Sequence, residues 1–111
     1  MGRAMILITA AVLVHGVSVA AVIRVPGEVA GIEEALTIAA PYDTILVAPG
    51  TYHVNLVWPV TDGLKLESEA GPESTILDGS GDVQVIGIYS GVDTTTVVRG
   101  FTIRNGHAEG Q

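Results

Sequence analysis

The side chains that could carry chemistry are few, and one short segment concentrates them. Residues Asp78-Gly79-Ser80-Gly81-Asp82 space oxygen ligands two positions apart, like the start of a calcium-binding loop. Such a loop needs a glycine at its sixth position and a glutamate at its twelfth, but the chain has Val83 and Tyr89 there. The spacing therefore predicts a glycine-rich turn rather than a calcium site.

Aromatic and imidazole side chains form a second group of candidates. Trp58, directly before Pro59, could present an exposed face on which a sugar ring stacks, or it could pack as the lid of an early coil. Tyr52 closes a Pro-Gly-Thr-Tyr turn and is predicted to pack there. His53 has no second histidine at ligand spacing, so no metal site is predicted. Trp58 is thus the candidate sugar contact.

The other polar residues have plain structural interpretations. Three scattered aspartates are predicted to be solvated turn residues: Asp43, Asp62 and Asp93. Ser80 lacks the frame of a nucleophile elbow. Arg99 and Arg104 could contact an acidic sugar polymer, although pairing with neighbouring carboxylates is the default. Because the chain also lacks a phosphate-binding glycine loop, a dinucleotide fingerprint and an HExxH motif, no catalytic, cofactor-binding or metal-binding residue is assigned.

The composition narrows the class of protein. The 111 residues include no cysteine, which excludes disulfides, thiolate zinc sites and a cysteine nucleophile. Twelve acidic side chains outnumber five basic ones, for a net charge of -7. This balance argues against nucleic acid or an anionic membrane surface as the main partner, since phosphate binding needs clustered Lys and Arg.

The N-terminus resembles a secretory signal peptide. A short basic start, Met1-Gly2-Arg3, precedes the apolar run 4–14, and Ser18-Val19-Ala20 supplies small residues before a cleavage site. The alternative is an uncleaved membrane anchor over residues 4–23, but polar residues interrupt that stretch and no cationic stop follows. We therefore predict a signal peptide at 1–20, a mature domain at 21–111, and a secreted or cell-envelope location.

The mature part predicts one short helix followed by many short strands. Apolar residues recur at helical spacing at Ile32, Ala35, Leu36 and Ala39, and the helix should end before Pro41. The runs that follow have strand character and are separated by glycine-rich turns: 44–47, 63–67, 74–77, 83–88, 95–98 and 101–103. Such a pattern suits either a sandwich or a solenoid.

One corner favours the solenoid. From Val98 to Ile103 the apolar alternation slips by one residue at Gly100, as expected where a strand turns a corner and continues in a second sheet. Asn105-Gly106 follows directly and suits a tight turn with a left-handed residue.

Several segments resemble the opening of right-handed parallel β-helix proteins of the pectin lyase-like superfamily. They are Ile23-Arg24-Val25-Pro26-Gly27-Glu28, Gly31-Ile32-Glu33-Glu34-Ala35-Leu36, Asp43-Thr44-Ile45-Leu46-Val47-Ala48-Pro49-Gly50-Thr51-Tyr52, Leu64-Lys65-Leu66-Glu67-Ser68, Ile76-Leu77-Asp78-Gly79 and Gly100-Phe101-Thr102-Ile103-Arg104-Asn105-Gly106. The resemblance implies an all-β solenoid, a single-stranded parallel β-helix of about three coils, whose N-terminal mouth is capped by the short helix.

The resemblance also implies a function and partners. Members of the superfamily act on polysaccharides as lyases, esterases or hydrolases, so we expect an N-terminal part of an exported protein that binds or processes polysaccharide, with further coils of its own chain to follow. The reaction class stays open. The alternative is a noncatalytic surface solenoid, an adhesin or spacer. No cofactor is expected in either case.

Overall fold

The structure, a computed structural model, describes residues 19–81, 84–88 and 93–107. All but the last two residues of the predicted signal peptide lie outside these residues, as do Asp82, Val83 and Tyr89 of the calcium-loop comparison. Within them the elements follow in this order: β1 Val22–Val25, α1 Ile32–Ile38, β2 Thr44–Val47, β3 Gly50–His53, β4 Leu56–Val57, β5 Lys65–Ser68, β6 Thr75–Asp78, β7 Ile86–Gly87, β8 Val97–Arg99 and β9 Thr102–Arg104.

The strands stack into a parallel β-solenoid of about three turns. Three sheets form its sides, with strand orders β1-β2-β5-β8, β3-β6-β9 and β4-β7, and every pair is parallel. We call them the first, second and third sheet. The predicted solenoid is therefore confirmed, and the sandwich alternative is excluded.

In-register stacking builds the core. Ile45 lies beside Leu66 in the first sheet and Tyr52 lies beside Leu77 in the second, so equivalent positions of successive turns point into the same interior. The fully buried side chains include Ile45, Leu66 and Leu77. Because strand side chains alternate between faces, the residues between them face solvent.

The helix lies over the N-terminal mouth as predicted. Ile32, Ala35 and Leu36 are buried, while Glu33 and Glu34 are exposed in the first turn, where the helix dipole favours acidic side chains. The helix contacts β1, β2 and β4, so its apolar face covers the open end of the core. A seven-residue helix gains its stability from this packing.

The predicted corner at Gly100 is also confirmed. β8 belongs to the first sheet and β9 to the second, and Gly100 joins them with a φ of 88°. A Cβ at this position would collide with the Ser68 hydroxyl of the turn below. Asn105 has the predicted left-handed conformation, with a φ of 57°.

Three strands differ from the sequence prediction. β1 precedes the helix and lies outside the predicted strand runs, but it pairs with β2. β3 occupies the segment interpreted as a Pro-Gly-Thr-Tyr turn, and β4 was not predicted; both are strands because β6 and β7 pair with them. The predicted run 83–88 contributes only the two-residue β7 within the described residues.

Two isoleucines of α1 provide a matched test of the capping role. Ile32→Ala removes a buried side chain and should lower the free energy of unfolding by about 2–5 kcal/mol. Ile38→Ala, at a position that is 60% exposed, should cost under about 1 kcal/mol. Urea unfolding followed by circular dichroism measures both, and equal costs would contradict the capping role.

A pair of glycines separates backbone strain from steric collision. Gly71 and Gly100 have similar positive φ values, 93° and 88°, but a Cβ would meet nothing within 4 Å at Gly71. Gly71→Ala should therefore cost about 1–2 kcal/mol from the left-handed conformation alone. Gly100→Ala should cost distinctly more, because the Ser68 side chain must also move. A smaller loss at Gly100 in urea unfolding would show that the corner is not tightly packed.

Candidate functional site

A column of polar side chains forms where the strands of the second sheet end. His53, Asp78 and Arg104 are the last residues of β3, β6 and β9, and they lie side by side in the parallel register. Neighbouring strands are about 4.8 Å apart, so each side chain lies within reach of the next. The solenoid thus gathers an imidazole, a carboxylate and a guanidinium from three turns.

Asp78 is the centre of this column. Its side chain is buried, and it accepts hydrogen bonds from the Ser80 N–H at 2.7 Å, from Arg104 Nε at 2.9 Å and from Asn105 Nδ2 at 3.2 Å. The Ser80 N–H bond foremost, then the bond from Arg104, lowers the pKa of Asp78 to about 2. A carboxyl group with this pKa stays ionised at neutral pH and cannot serve there as a general acid.

The turns after β6 and β9 stack on each other. Ser80 and Asn105 both adopt left-handed conformations, with φ values of 61° and 57°. The Gly79 N–H donates to the Arg104 carbonyl at 3.0 Å, and the Gly81 N–H donates to the Asn105 carbonyl at 2.7 Å. These bonds hold the Ser80 hydroxyl at the rim of the column.

An open depression of about 360 Å³ lies beside the column. Its lining residues are Glu33, His53, Val54, Asn55, Asp78, Gly79 and Ser80. His53 Nδ1 lies 3.2 Å from the Ser80 hydroxyl oxygen, and both residues are exposed. The described lining therefore offers carboxylate, imidazole, amide and hydroxyl groups to a ligand.

The depression suits hydrogen bonding better than a serine-hydrolase relay. Such a relay needs a carboxylate that orients the histidine. Asp78 instead bonds to the Ser80 backbone and to Arg104. The geometry fits a ligand with many hydroxyl groups, which both donate and accept.

The structure does not bring the candidate sugar contact to this site. Trp58 is 3% exposed and belongs to the core cluster, so its indole offers no face to a sugar ring. Its Nε1 has no hydrogen-bond partner among the described residues.

Tyr52 packs as predicted and donates its hydroxyl to the Ala48 carbonyl at 2.7 Å. Burial, and then the nearby Glu69, raises the pKa of Tyr52.

Both candidate arginines take the default pairing. Arg99 bonds to Glu67 at 2.8 Å, and Arg104 bonds to Asp78. A third pair joins Arg24 to Glu69 at 3.5 Å. The guanidinium groups that could have held an acidic polymer are therefore already opposed by carboxylates.

One aspartate prediction is wrong. Asp43 is not solvated but buried. Its two carboxylate oxygens find their hydrogen-bond partners within the chain, since they accept from the Ala21 N–H at 2.8 Å and from the Ala40 N–H at 2.9 Å. Asp62 and Asp93 are exposed, as predicted.

In the part of the chain that the structure describes, no three histidine or acidic side chains come close enough together to hold a metal ion.

Comparison with protein-family models, with curated proteins and with solved structures found no match to this chain. Among the described residues, no helix has the length and apolar character needed to cross a bilayer.

The Asp78 network predicts a loss of stability in acid. The pKa of Asp78 in the folded chain is about 2, below its ordinary value of 3.8, so the unfolded chain binds this proton more readily. The stabilising contribution is fully present above about pH 4 and is lost as the pH falls towards about 2. We expect the midpoint of urea unfolding to fall over this range in the unmodified chain and to fall less in Asp78→Asn.

Asp62→Asn is the control for this measurement, because it removes an exposed carboxylate outside the column. It should retain the steep fall of the unmodified chain. An equal flattening in both variants would show that general charge, and not the Asp78 network, sets the acid response.

Proposed function

We propose that the chain is an exported parallel β-helix of the pectin lyase-like type, wound right-handed, that binds polysaccharide at the depression beside the Asp78 column. The single observation that carries this proposal is the depression itself, whose polar groups come from successive turns of the solenoid and from the rim of α1. Right-handed winding agrees with the general preference of connections between parallel strands for a right-handed crossover. The proposal of export rests on the resemblance of the N-terminal segment 1–20 to a secretory signal peptide.

A polymer ligand suits this geometry because the solenoid repeats its surface along its length. Glu33 comes from the capping helix, His53 and Asn55 from one turn, and Ser80 from the next. A sugar chain running along the axis would meet hydrogen-bonding groups at each step, and each contact adds a modest net contribution.

The charges favour an uncharged polysaccharide over an acidic one. The chain carries a net charge of -7, and Glu33 and Asp78 line the depression. Arg104, the arginine next to Asp78 in the column, is paired with that carboxylate. An acidic polymer would therefore meet repulsion at the depression, where none of the described lining residues is a lysine or an arginine.

The second candidate function is a noncatalytic structural or adhesive solenoid. The observation that favours it is the set of ion pairs between turns, Glu67 with Arg99 and Asp78 with Arg104, which tie the stack together along its sides. Such a rod needs no ligand at the depression.

Affinity electrophoresis of the full chain distinguishes these functions. Gels containing a neutral polysaccharide, such as arabinoxylan or galactomannan, should retard the chain, whereas polygalacturonate should not. Asn55→Ala and Glu33→Ala should each weaken binding on the order of five- to tenfold, the loss of about one hydrogen bond.

Glu34→Ala is the matched control for Glu33→Ala, since the two residues are adjacent on the same helix and Glu34 is not among the residues that line the depression. It should leave retardation unchanged. Equal mobility of the unmodified chain in all gels would overturn the polysaccharide proposal and favour the structural solenoid.

A further inference from the structure

Asp43 is a buried carboxylate that has no cationic side chain as a partner in the part of the chain that the structure describes. It lies directly before β2, and only 6% of the residue is exposed. The ion pairs of the described residues join Arg24, Arg99 and Arg104 to other carboxylates. A buried charge is costly unless hydrogen bonds and an opposite charge compensate it. The groups that face Asp43 therefore decide how its charge is tolerated.

Two backbone N–H groups face this carboxylate. The Ala21 N–H donates to Asp43 Oδ1 at 2.8 Å, and the Ala40 N–H donates to Asp43 Oδ2 at 2.9 Å. The Ala40 nitrogen lies inside the chain and stays an amide. The Ala21 nitrogen belongs to the bond between Ala20 and Ala21, where the predicted signal peptide ends, so its charge depends on whether that bond is cut.

Both backbone groups of Ala21 are bonded to the segment around the start of β2. Its carbonyl accepts a hydrogen bond from the Thr44 N–H at 2.9 Å, while its N–H bonds to Asp43. β1 begins at the next residue and pairs with β2. The two described residues before Ala21, Val19 and Ala20, are exposed. A cut after Ala20 would thus leave the described core and the pairing of β1 intact.

Cleavage at this bond changes the charge that Asp43 meets. A signal peptidase adds water across the Ala20–Ala21 bond. The hydroxyl of the water goes to the Ala20 carbonyl carbon, and its proton, with that of the new carboxyl group, goes to the Ala21 nitrogen. A neutral donor becomes an ammonium group with three donors, at the nitrogen that lies 2.8 Å from Asp43 Oδ1. Because Ala21 is exposed, the ammonium keeps access to water, while the buried carboxylate gains an opposite charge.

We propose that Asp43 is the binding site for the terminal ammonium group of the processed chain, so that removal of residues 1–20 completes an ion pair and stabilises the solenoid. This inference rests on the export that the proposed function includes. The unprocessed chain makes the same hydrogen bond without the opposite charge, and it is therefore the less stable of the two forms. Folding is in this way strongest after processing.

The plain alternative is that Asp43 only accepts hydrogen bonds from two amides, as Glu28, Asp78 and Asp93 accept from backbone N–H groups elsewhere in the chain. Acetylation of the terminal amine distinguishes the two interpretations. It restores an amide N–H at Ala21 and removes the positive charge, so it reproduces the state of the uncut bond. The alternative predicts no effect of acetylation on stability.

The test starts from the full chain, produced in a host that exports it. Mass spectrometry of the exported product should find Ala21 at the N-terminus. Every chain also carries Lys65→Arg, because Lys65 is the only lysine and its replacement leaves the terminal amine as the only primary amine to acetylate. In urea unfolding, acetylation should raise the unfolding equilibrium constant on the order of tenfold. In Asp43→Asn the same acetylation should have little effect.

Asp62→Asn is the matched control, since it removes an exposed carboxylate, and it should keep the tenfold effect of acetylation. A second measurement needs no change at Asp43, in case Asp43→Asn does not fold. The terminal amine of the folded chain should be acetylated on the order of tenfold more slowly than that of a peptide of residues 21–26, because the ammonium is bound although Ala21 is exposed.

Equal stability of the free and acetylated chains, an acetylation effect that Asp43→Asn retains, or acetylation as fast as that of the peptide would overturn the proposal and leave export standing. Processing at another bond would do the same. Absence of processing would overturn the proposal together with export. Retardation in polysaccharide gels tests the binding function separately, because Asp43 is not among the residues that line the depression.

Discussion

The structure depends on one constraint, the in-register parallel stacking of successive turns. Each inner strand bonds to the turn before it and to the turn after it, so a side chain's position in one turn fixes its neighbours in the next two. This constraint aligns Ile45 over Leu66 in the core, and it equally aligns His53, Asp78 and Arg104 at the surface. The interior and the candidate site are therefore two consequences of the same register.

The sequence predicts the elements that have their own local signal. The helical spacing of Ile32, Ala35 and Leu36 identified the capping face, and the slip at Gly100 identified the corner. β3 and β4 lack such a signal, because Gly50 looks like a turn residue and a two-residue strand has no periodicity. They are strands only because a neighbouring turn supplies their partners, which is information that lies outside the segment.

The site was harder to predict than the fold. Both Asp78 and Asn105 precede a glycine, and aligning the sequence by its two Thr-Ile pairs, at 75–76 and 102–103, would place these two residues side by side. The observed register is one residue different and pairs Asp78 with Arg104. Because a one-residue shift moves every side chain to the other face, local similarity could not identify the partner of Asp78.

The acidic composition also has a structural cause. At the corners and at the N-terminal edge of the solenoid, some backbone N–H groups lack a strand partner, and carboxylates accept hydrogen bonds from several of them. Glu28 accepts from Arg24, Asp43 from Ala21 and Ala40, Asp78 from Ser80, and Asp93 from Thr95. The hydrogen bonds from Thr95, its hydroxyl foremost, also lower the pKa of Asp93. Part of the negative charge is thus required by the fold, since an ionised carboxylate is a strong acceptor for a backbone N–H. The carboxylates that bear on the proposed ligand are the smaller set that lines the depression, Glu33 and Asp78.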